Sequence, residues 1–349
     1  MGRDVISHFI LYTTLDIILV IMKHLTKRLD EELYSSRTLD FYFNGLHAGV
    51  LDIETTGLNP SRNKFILGGL FDLQDMTMYQ VFAENRNEEA DALREFAERL
   101  SGLDMIITYN GRHFDMPFIC RRSGSFSIKV SQPYNLDLYL VLNGHSPIKK
   151  FVPNLKQKTI ENYMGLWQSR SDEISGGESV ELYNMYEKTG DSRLEKKILL
   201  HNSDDVLQLA RLIKVTGKAD FHKAMFHLGF PAGPLTVEKI RIDSGFITIS
   251  GVQRSICIDY IGFSVSGSDF PAESRFDSAT SRFVIRIPVI RDLGLVIVDL
   301  KAAGIPCSPF EIYPAYSSGF LVLEEHGCRN YMEINHFVKG FINVFIKSL

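Results

Sequence analysis

Leu51-Asp52-Ile53-Glu54-Thr55-Thr56-Gly57-Leu58 is the stretch on which the reading of this chain turns. Asp52 and Glu54 stand two apart at the end of an apolar run, His47-Ala48-Gly49-Val50-Leu51. In a strand, side chains two apart share a face. Both acids therefore project together, and Thr55-Thr56-Gly57 turns the chain after them. Like charges held side by side repel, and burial raises their proton affinity further. A divalent cation neutralises such a pair. The expectation is a hard-cation site of oxygen ligands for Mg²⁺ or Mn²⁺. Taken alone, the pair reads equally as a solvated strand end; its company elsewhere in the chain decides between the two.

Outward from this stretch, strand-like runs cover Ala48–Ile53, Phe65–Leu73 and Met76–Phe82, the last two joined by a short connection at Gln74-Asp75. Residues 87–100 place Ala90, Leu93, Phe96, Ala97 and Leu100 at helical spacing. Residues 104–109, with Met105-Ile106-Ile107 at the centre, read as a buried strand. Three strands, a helix and a further strand open a mixed α/β sheet. Residues 154–215 read as helical, interrupted by a loop over 169–178 containing Gly176-Gly177.

The texture changes after about Lys218. Alternating runs at 239–250, 254–261 and 282–290 are rich in Ile, Val and Phe and predict a β-rich unit. It closes with Ile334, Phe337, Val338, Phe341, Ile342 and Phe345, one helical stripe read as core. The expected division is an N-terminal extension over 1–45, an α/β domain over 46–217 and a smaller β-rich C-terminal unit over 218–349 that ends in a helix.

A second acid stands in Tyr109-Asn110-Gly111-Arg112-His113-Phe114-Asp115-Met116-Pro117. Asn110-Gly111 turns the chain at a strand end, and Asp115 falls at the start of a helix. Ligands gather at the ends of adjacent strands in α/β sheets. Asp115 also reads as a helix cap, with Pro117 in the first turn. Phe114 is read either as core or as a wedge against a terminal base. The third piece is Leu199-Leu200-His201-Asn202-Ser203-Asp204-Asp205-Val206-Leu207. His201 and Asp205 are four apart on a helix and share a face. Ile198, Leu209 and Leu212 lie on the same stripe. A histidine and an acid on a mostly apolar face are costly unless something binds them. Asp204 is a rival acid, about 100° around the helix from Asp205.

In 349 residues, Lys and Arg number 38 and Asp and Glu 42, a net charge of 38 − 42 = −4. That excludes a broadly basic surface, so nucleic-acid binding must rest on a local patch. Hydrophobic content of 45% suffices for a packed core. Cys120, Cys257, Cys307 and Cys328 match no zinc spacing and read as reduced core residues of a cytoplasmic protein. The first 22 residues carry apolar runs broken by His8 and Asp16, with a basic segment after them rather than before. They read as an amphipathic or core segment, or as an extension upstream of a start at Met22; a membrane anchor is the less favoured reading, and no membrane is expected.

Together, Asp52/Glu54, the Asn110…Asp115 segment and the His201…Asp205 helix resemble the DEDD superfamily of ribonuclease-H-like 3′–5′ exonucleases. Within it, the chain is most similar to the YprB-type ribonuclease-H-like domain. Pro153-Asn154-Leu155-Lys156 leads a helix; Arg170 and Asp172-Glu173-Ile174-Ser175-Gly176 follow, then Leu182-Tyr183, Tyr186 and Thr189-Gly190-Asp191. The pattern ends in His201-Asn202, Asp205-Val206 and Leu209, and the resemblance covers about residues 46–216. It implies a ribonuclease-H-like mixed sheet flanked by helices and a two-ion site for Mg²⁺ or Mn²⁺. It further implies that Asp52, Glu54 and Asp205 ligate the first ion, that Asp52 bridges to the second, and that Asp115 holds the second through water. His201 would be the general base for the attacking water. Two ions about 4 Å apart activate a water and stabilise charge on phosphate and leaving oxygens, and a histidine near neutrality can take the proton. Two departures stand out: Ser175 replaces the family's usual proline, and His201 stands at the spacing of tyrosine-type members.

The expected activity is therefore a metal-dependent nuclease, a 3′–5′ exonuclease on single-stranded DNA or RNA. The alternatives are a non-catalytic nucleic-acid-binding or assembly module with the same fold, and a phosphoesterase acting on small nucleotides. Asn110, Phe114 and Lys156 are the candidate substrate contacts. Lys149, Lys150, Lys158, Arg121 and Arg122 are further candidates for phosphate, and Tyr109, Tyr134 and Tyr139 for base stacking.

Overall fold

The apolar run that ends in Asp52 and Glu54 is an inner strand of a six-stranded sheet. The computed structural model describes residues 23–28, 30–166, 176–243, 245–264 and 270–349. The first sheet comprises β1 (Lys23–Arg28), β2 (Ala48–Thr55), β3 (Phe65–Asp72), β4 (Thr77–Phe82), β5 (Met105–Thr108) and β6 (Tyr134–Asp137). Its order is β1-β4-β3-β2-β5-β6. The pairs on the β1 side are antiparallel and those from β2 through β5 to β6 are parallel. Strand β6 was not read from the sequence: it is four residues long, too short for alternation to show.

Helices of this part are α1 (Arg37–Phe43), α2 (Glu89–Ser101), α3 (Asp115–Gly124), α4 (Leu138–His145), α5 (Gln157–Tyr163), α6 (Gly176–Thr189), α7 (Ser192–Leu212) and α8 (Phe221–Leu228). The helical reading of residues 154–215 is met by α5, α6 and α7. Leu51 and Ile53 of β2 share a core with Phe96 of α2 and Phe118 and Ile119 of α3. Val50 packs on the other face, in the core that includes Val206 and Leu207 of α7. Asp52 and Glu54, in phase with Val50, point to that second face.

Strand β3 is buried from Phe65 to Phe71, a continuous apolar run as expected for a strand covered on both sides. Gly68 and Gly69 sit in its middle because helices press on each face. A Cβ at Gly68 would lie 2.5 Å from the Phe96 ring of α2, and one at Gly69 would lie 2.2 Å from Asn202 Oδ1 of α7.

The C-terminal part is antiparallel, with two sheets and a closing helix. The second sheet of the chain contains β7 (Phe230–Ala232), β8 (Leu235–Ile242), β9 (Phe246–Gln253), β10 (Tyr260–Gly262), β11 (Glu273–Asp277) and β12 (Arg282–Pro288), in the order β10-β11-β12-β9-β8-β7. The third contains β13 (Ile290–Asp292), β14 (Leu295–Asp299), β15 (Tyr316–Ser317), β16 (Phe320–Glu325) and β17 (Cys328–Arg329). Helix α9 (Tyr331–Ser348) buries the predicted stripe, including Phe337, Phe341 and Phe345. The expected strand over 254–261 is mostly absent. Gln253 instead brackets Ile258, its Nε2 donating to the Ile258 carbonyl at 3.1 Å and its Oε1 accepting the Ile258 N–H at 2.9 Å. That side chain takes the place of a ladder, and the strand begins only at Tyr260.

One hydrophobic core runs from Val50 through α8 and α9 into the second sheet. Lys339 of α9 donates to the carbonyls of Phe41 (2.6 Å) and Tyr42 (3.2 Å) near the end of α1. Asn335 donates to the Tyr42 hydroxyl at 2.7 Å, and Arg254 pairs with Asp104 at the entry to β5. No helix among the described residues is long and apolar enough to cross a membrane. The four cysteines are not core residues as expected: Cys257 and Cys328 are exposed, and Cys120 and Cys307 are half-buried. The loop expected over 169–178 is already helical from Gly176, where α6 begins. The expectations for residues 1–22, for the rest of that loop, and for Arg170 and Asp172-Glu173-Ile174-Ser175, lie outside the described residues.

Candidate functional site

Strand β2 brings Asp52 and Glu54 to the sheet face under α7. Asp52 lies opposite Gly69, and the β2–β3 register shifts between Glu54 and Thr55. Such an irregularity re-aims side chains at a strand end. Asp115, the first residue of α3, is buried and ties back to the same strand: its Oδ1 accepts the Ile53 N–H at 3.2 Å. The turn that leads to it is held by Asp137 at the end of β6. Asp137 accepts the N–H of Asn110 at 2.9 Å and of Arg112 at 3.0 Å. Asn110 has φ +66°, a left-handed conformation that asparagine tolerates better than most residues.

Helix α7 supplies the third segment. His201 is buried with Nε2 3.6 Å from Glu54 Oε1 and 3.5 Å from Asp205 Oδ2. One ligating atom from each of Glu54, His201 and Asp205 lies within 4.8 Å of the other two. Asn202, the next residue round the helix, donates from Nδ2 to Asp52 Oδ2 at 3.1 Å and to the Asp52 carbonyl at 3.3 Å. Its Oδ1 accepts from Gln80 Nε2 at 3.0 Å, and Gln80 also donates to the Leu199 carbonyl at 2.8 Å. The amide orientation of Asn202 is thereby fixed, and with it the orientation of Asp52.

Burial dominates the electrostatics of Asp52, Glu54 and Asp115. Burial, then the fields of Asp115, Asp205 and Glu54, hold the Asp52 carboxyl well above its ordinary range, with Asn202 opposing. Burial pushes Glu54 up to about 7, against the lowering effect of His201; Asp205 adds to the rise. The fully buried Ser179 hydroxyl of α6 also acts on Glu54 from close by, though without the geometry of a full hydrogen bond. Asp115 is likewise pushed up to about 7 by burial, opposed by its own N–H and that of Ile53. Among the described residues, no lysine or arginine pairs with Asp52, Glu54 or Asp115. Such a set suits a hard divalent cation: oxygen donors with one imidazole, negative charge in excess, and little else to neutralise it.

The structure thus brings together Asp52, Glu54, Asp115, His201 and Asp205. Among the candidate substrate contacts, Asn110 and Phe114 are half-buried in the segment leading to Asp115, and the Phe114 ring packs 5.7 Å from that of Phe118. Lys156 is exposed immediately before α5, whose Gln157 donates to the Asp205 carbonyl at 2.9 Å. Arg122 is not available to phosphate. Its Nε and Nη2 each donate to a Glu89 oxygen at 2.7 Å, a nearly buried pair joining α3 to α2. Tyr134 is also unsuited to stacking on a base, because it is buried and donates to the Gly229 carbonyl at 2.7 Å. Tyr109 donates to the Leu155 carbonyl at 2.6 Å. Sequence reasoning missed Asn202, Gln80, Asp137 and Gly69. Asn202 was visible beside His201, but nothing linear connects it to Gln80 or Asp52.

Residues 50–216 match the family model described as RNase_H superfamily. This part of the chain has a ribonuclease-H-like fold. An uncharacterized protein of Methanocaldococcus jannaschii is 27% identical over 172 residues, covering 48% of this chain and 93% of its own. A family B DNA polymerase from Pyrobaculum calidifontis is similar to 48% of this chain at 19% identity and a TM-score of 0.41. The match takes in 24% of the polymerase chain. The apo form of a nuclease matches over 53% of this chain and 77% of its own, at 18% identity and a TM-score of 0.33.

Proposed function

We propose that this protein is a metal-dependent nuclease whose ribonuclease-H-like domain, residues 46–217, hydrolyses phosphodiester bonds from the 3′ end of a single strand. One observation carries the reading: Glu54, His201 and Asp205 converge to within 4.8 Å beside Asp52 and the buried Asp115, with acidic charge in excess. Asp52, Glu54 and Asp205 would hold one Mg²⁺ or Mn²⁺, and Asp52 with Asp115 would hold a second. When bound, these ions lower the pKa of water and offset charge on the phosphate and the leaving oxygen. His201 accepts at Nε2 the proton of the attacking water. Asn202 and Gln80 keep Asp52 aimed, while Asn110, Phe114 and Lys156 contact the terminal nucleotides. The YprB-type motifs within residues 46–216 support this reading.

The placement of His201 Nε2 between Glu54 and Asp205 favours a second role for the same residue, as a ligand to the first ion. Mn²⁺ titration of His201→Ala separates the two. A base leaves Mn²⁺ affinity nearly intact and lowers turnover, whereas a ligand takes affinity down with it. The test of the function is Mn²⁺-dependent digestion of 5′- and 3′-end-labelled single-stranded DNA and RNA by wild type and Asp52→Asn. Loss from the 3′ end by wild type, reduced by orders of magnitude in the variant, is expected. Equal digestion by both removes the mechanism. Stable binding without digestion by either would indicate a non-catalytic module, and cleavage confined to dinucleotides a small-substrate phosphoesterase.

A further inference from the structure

Strand pairing in the second sheet sorts its residues onto two faces. Ile240, Ile247, Ile249, Phe276, Phe283, Ile285 and Ile287 point inward, to the core shared with α8 and α9. The outward face is assembled by register. One cross-strand row reads Arg241, Thr248, Arg286, Glu273, and the next reads Lys239, Ser250, Val284, Arg275, Ile261. A third places Val252, Arg282 and Asp277 side by side. The β-bulge in β8 turns both Glu238 and Lys239 outward, where strict alternation would bury one of them.

This face is cationic in a chain whose net charge is −4. Arg282 pairs with Glu238, and Arg286 with Glu273. Lys239, Arg241 and Arg275 are exposed and have no ion-pair partner among the described residues. Arg286 also lies over the Phe246 ring at 4.2 Å. Val284 and Ile261 are exposed in the central row, and Phe263 projects just beyond it. Five strands at about 4.8 Å spacing make a strip roughly 19 Å wide, with hydroxyls, aliphatic surface and cations interleaved. Cations that track a backbone beside aromatic rings on which bases stack, here the exposed Phe263 and the half-buried Phe246, compose a sequence-tolerant single-strand site.

We propose that the outward face of the second sheet, centred on Lys239, Arg241 and Arg275, binds the phosphate backbone over a few nucleotides of a longer single-stranded nucleic acid. The choice of this polyanion rests on the nuclease reading of the ribonuclease-H-like domain; the cationic face does not. The face holds the strand while the carboxylate site acts on its end, and a site of this kind makes affinity depend on strand length and salt.

The test uses full-length protein in EDTA, so that binding is read without cleavage. Fluorescence anisotropy of a labelled 20-nucleotide strand is followed from 50 to 200 mM KCl for wild type and for Lys239→Ala/Arg241→Ala/Arg275→Ala. Single strands give a slope of about −0.7 per phosphate contact, so the triple variant should flatten log K against log salt by about 2 and bind about tenfold or more weakly at 50 mM. A charge-retaining variant, Lys239→Arg/Arg241→Lys/Arg275→Lys, should restore the slope. Unchanged affinity and slope in a triple variant of native circular dichroism overturn the proposal. So does binding of phosphatidylserine vesicles that is lost in the triple variant while oligonucleotide binding persists. Mn²⁺-dependent removal of nucleotides from the 3′ end of a 5′-labelled tetranucleotide is measured alongside and should be unchanged in the triple variant. Failure of wild type to digest single strands of any length counts against the nuclease reading and leaves the anisotropy result to judge the face alone.

Discussion

Glu54→Gln should stabilise the cation-free protein at neutral pH while removing its response to Mn²⁺. Burial raises the Glu54 carboxyl from 4.5 to about 7. The sign follows from proton counting: between those values the folded state holds a proton that the unfolded state has released, so stability falls as pH rises through the window. At 1.36 kcal/mol per pKa unit, the cost of keeping Glu54 is on the order of 1.4 kcal/mol at pH 5.5 and 3 kcal/mol above pH 7. Asp115, also raised to about 7, acts in the same direction, and because the carboxyls share one field the two costs do not add. Glutamine keeps the shape without the charge. In EDTA the variant should therefore melt above wild type at pH 7.5, with a gap smaller by about 2 kcal/mol at pH 5.5. Mn²⁺ at about one hundred times its dissociation constant should return about 2.7 kcal/mol to wild type at pH 7.5, less at pH 5.5 where protons compete, and much less to the variant. Thermal unfolding by circular dichroism, with and without Mn²⁺ at both pH values, measures each of these. A variant less stable than wild type at pH 7.5 in EDTA, or an equal Mn²⁺ shift in both proteins, would refute the claim that burial outweighs His201 at Glu54 and that this acid binds the cation.

Gly69→Ala should lower Mn²⁺-dependent hydrolysis at least tenfold, because its Cβ would displace Asn202 from 2.2 Å and with it the donor to Asp52; unaltered turnover would show that Asn202 does not aim Asp52. Arg122→Met should cost about 3–5 kcal/mol in urea unfolding, since it strands Glu89 as a buried charge. Its KM for oligonucleotides, measured at a temperature where it is folded, should not change; a raised KM would return Arg122 to the substrate. Lys339→Met should cost about 1–3 kcal/mol by leaving the Phe41 and Tyr42 carbonyls without their donor. Thermal unfolding measures that loss, and a Tm equal to wild type would show that α1 does not depend on the contact.

The sequence made legible what repeats within a few residues. The alternation that exposes Asp52 and Glu54 on one face, the helical spacing of His201 and Asp205, and the stripe of α9 are all local, and the structure follows each. What was illegible depends on contact across the chain. Arg122 looks like any surface cation until Glu89, 33 residues earlier, is seen beneath it. Tyr134 looks like a stacking platform until α8 ends against it. The strand β6 escaped because a four-residue element contains only two alternations, and the expected strand at 254–261 failed because Gln253 satisfies the backbone of Ile258 from the side.

The arrangement of α7 explains how one helix serves two ends of the site. His201 and Asp205 are one turn apart, so they face the same point, and that point is Glu54. Asn202 is rotated about 100° from His201, which carries it away from Glu54 and toward Asp52. For both contacts to form, α7 must lie close against β3, and a Cβ at position 69 would prevent it. The acids of β2 are then separately managed: Glu54 faces the imidazole, while Asp52 is aimed by an amide that Gln80 holds from the far side. A neutral donor fixes the direction of Asp52 without supplying the positive charge that would compete with a cation. The structure orients Asp52 through an amide and Asp115 through a backbone N–H, neither of which supplies a positive charge, and that leaves room for a divalent ion to supply it.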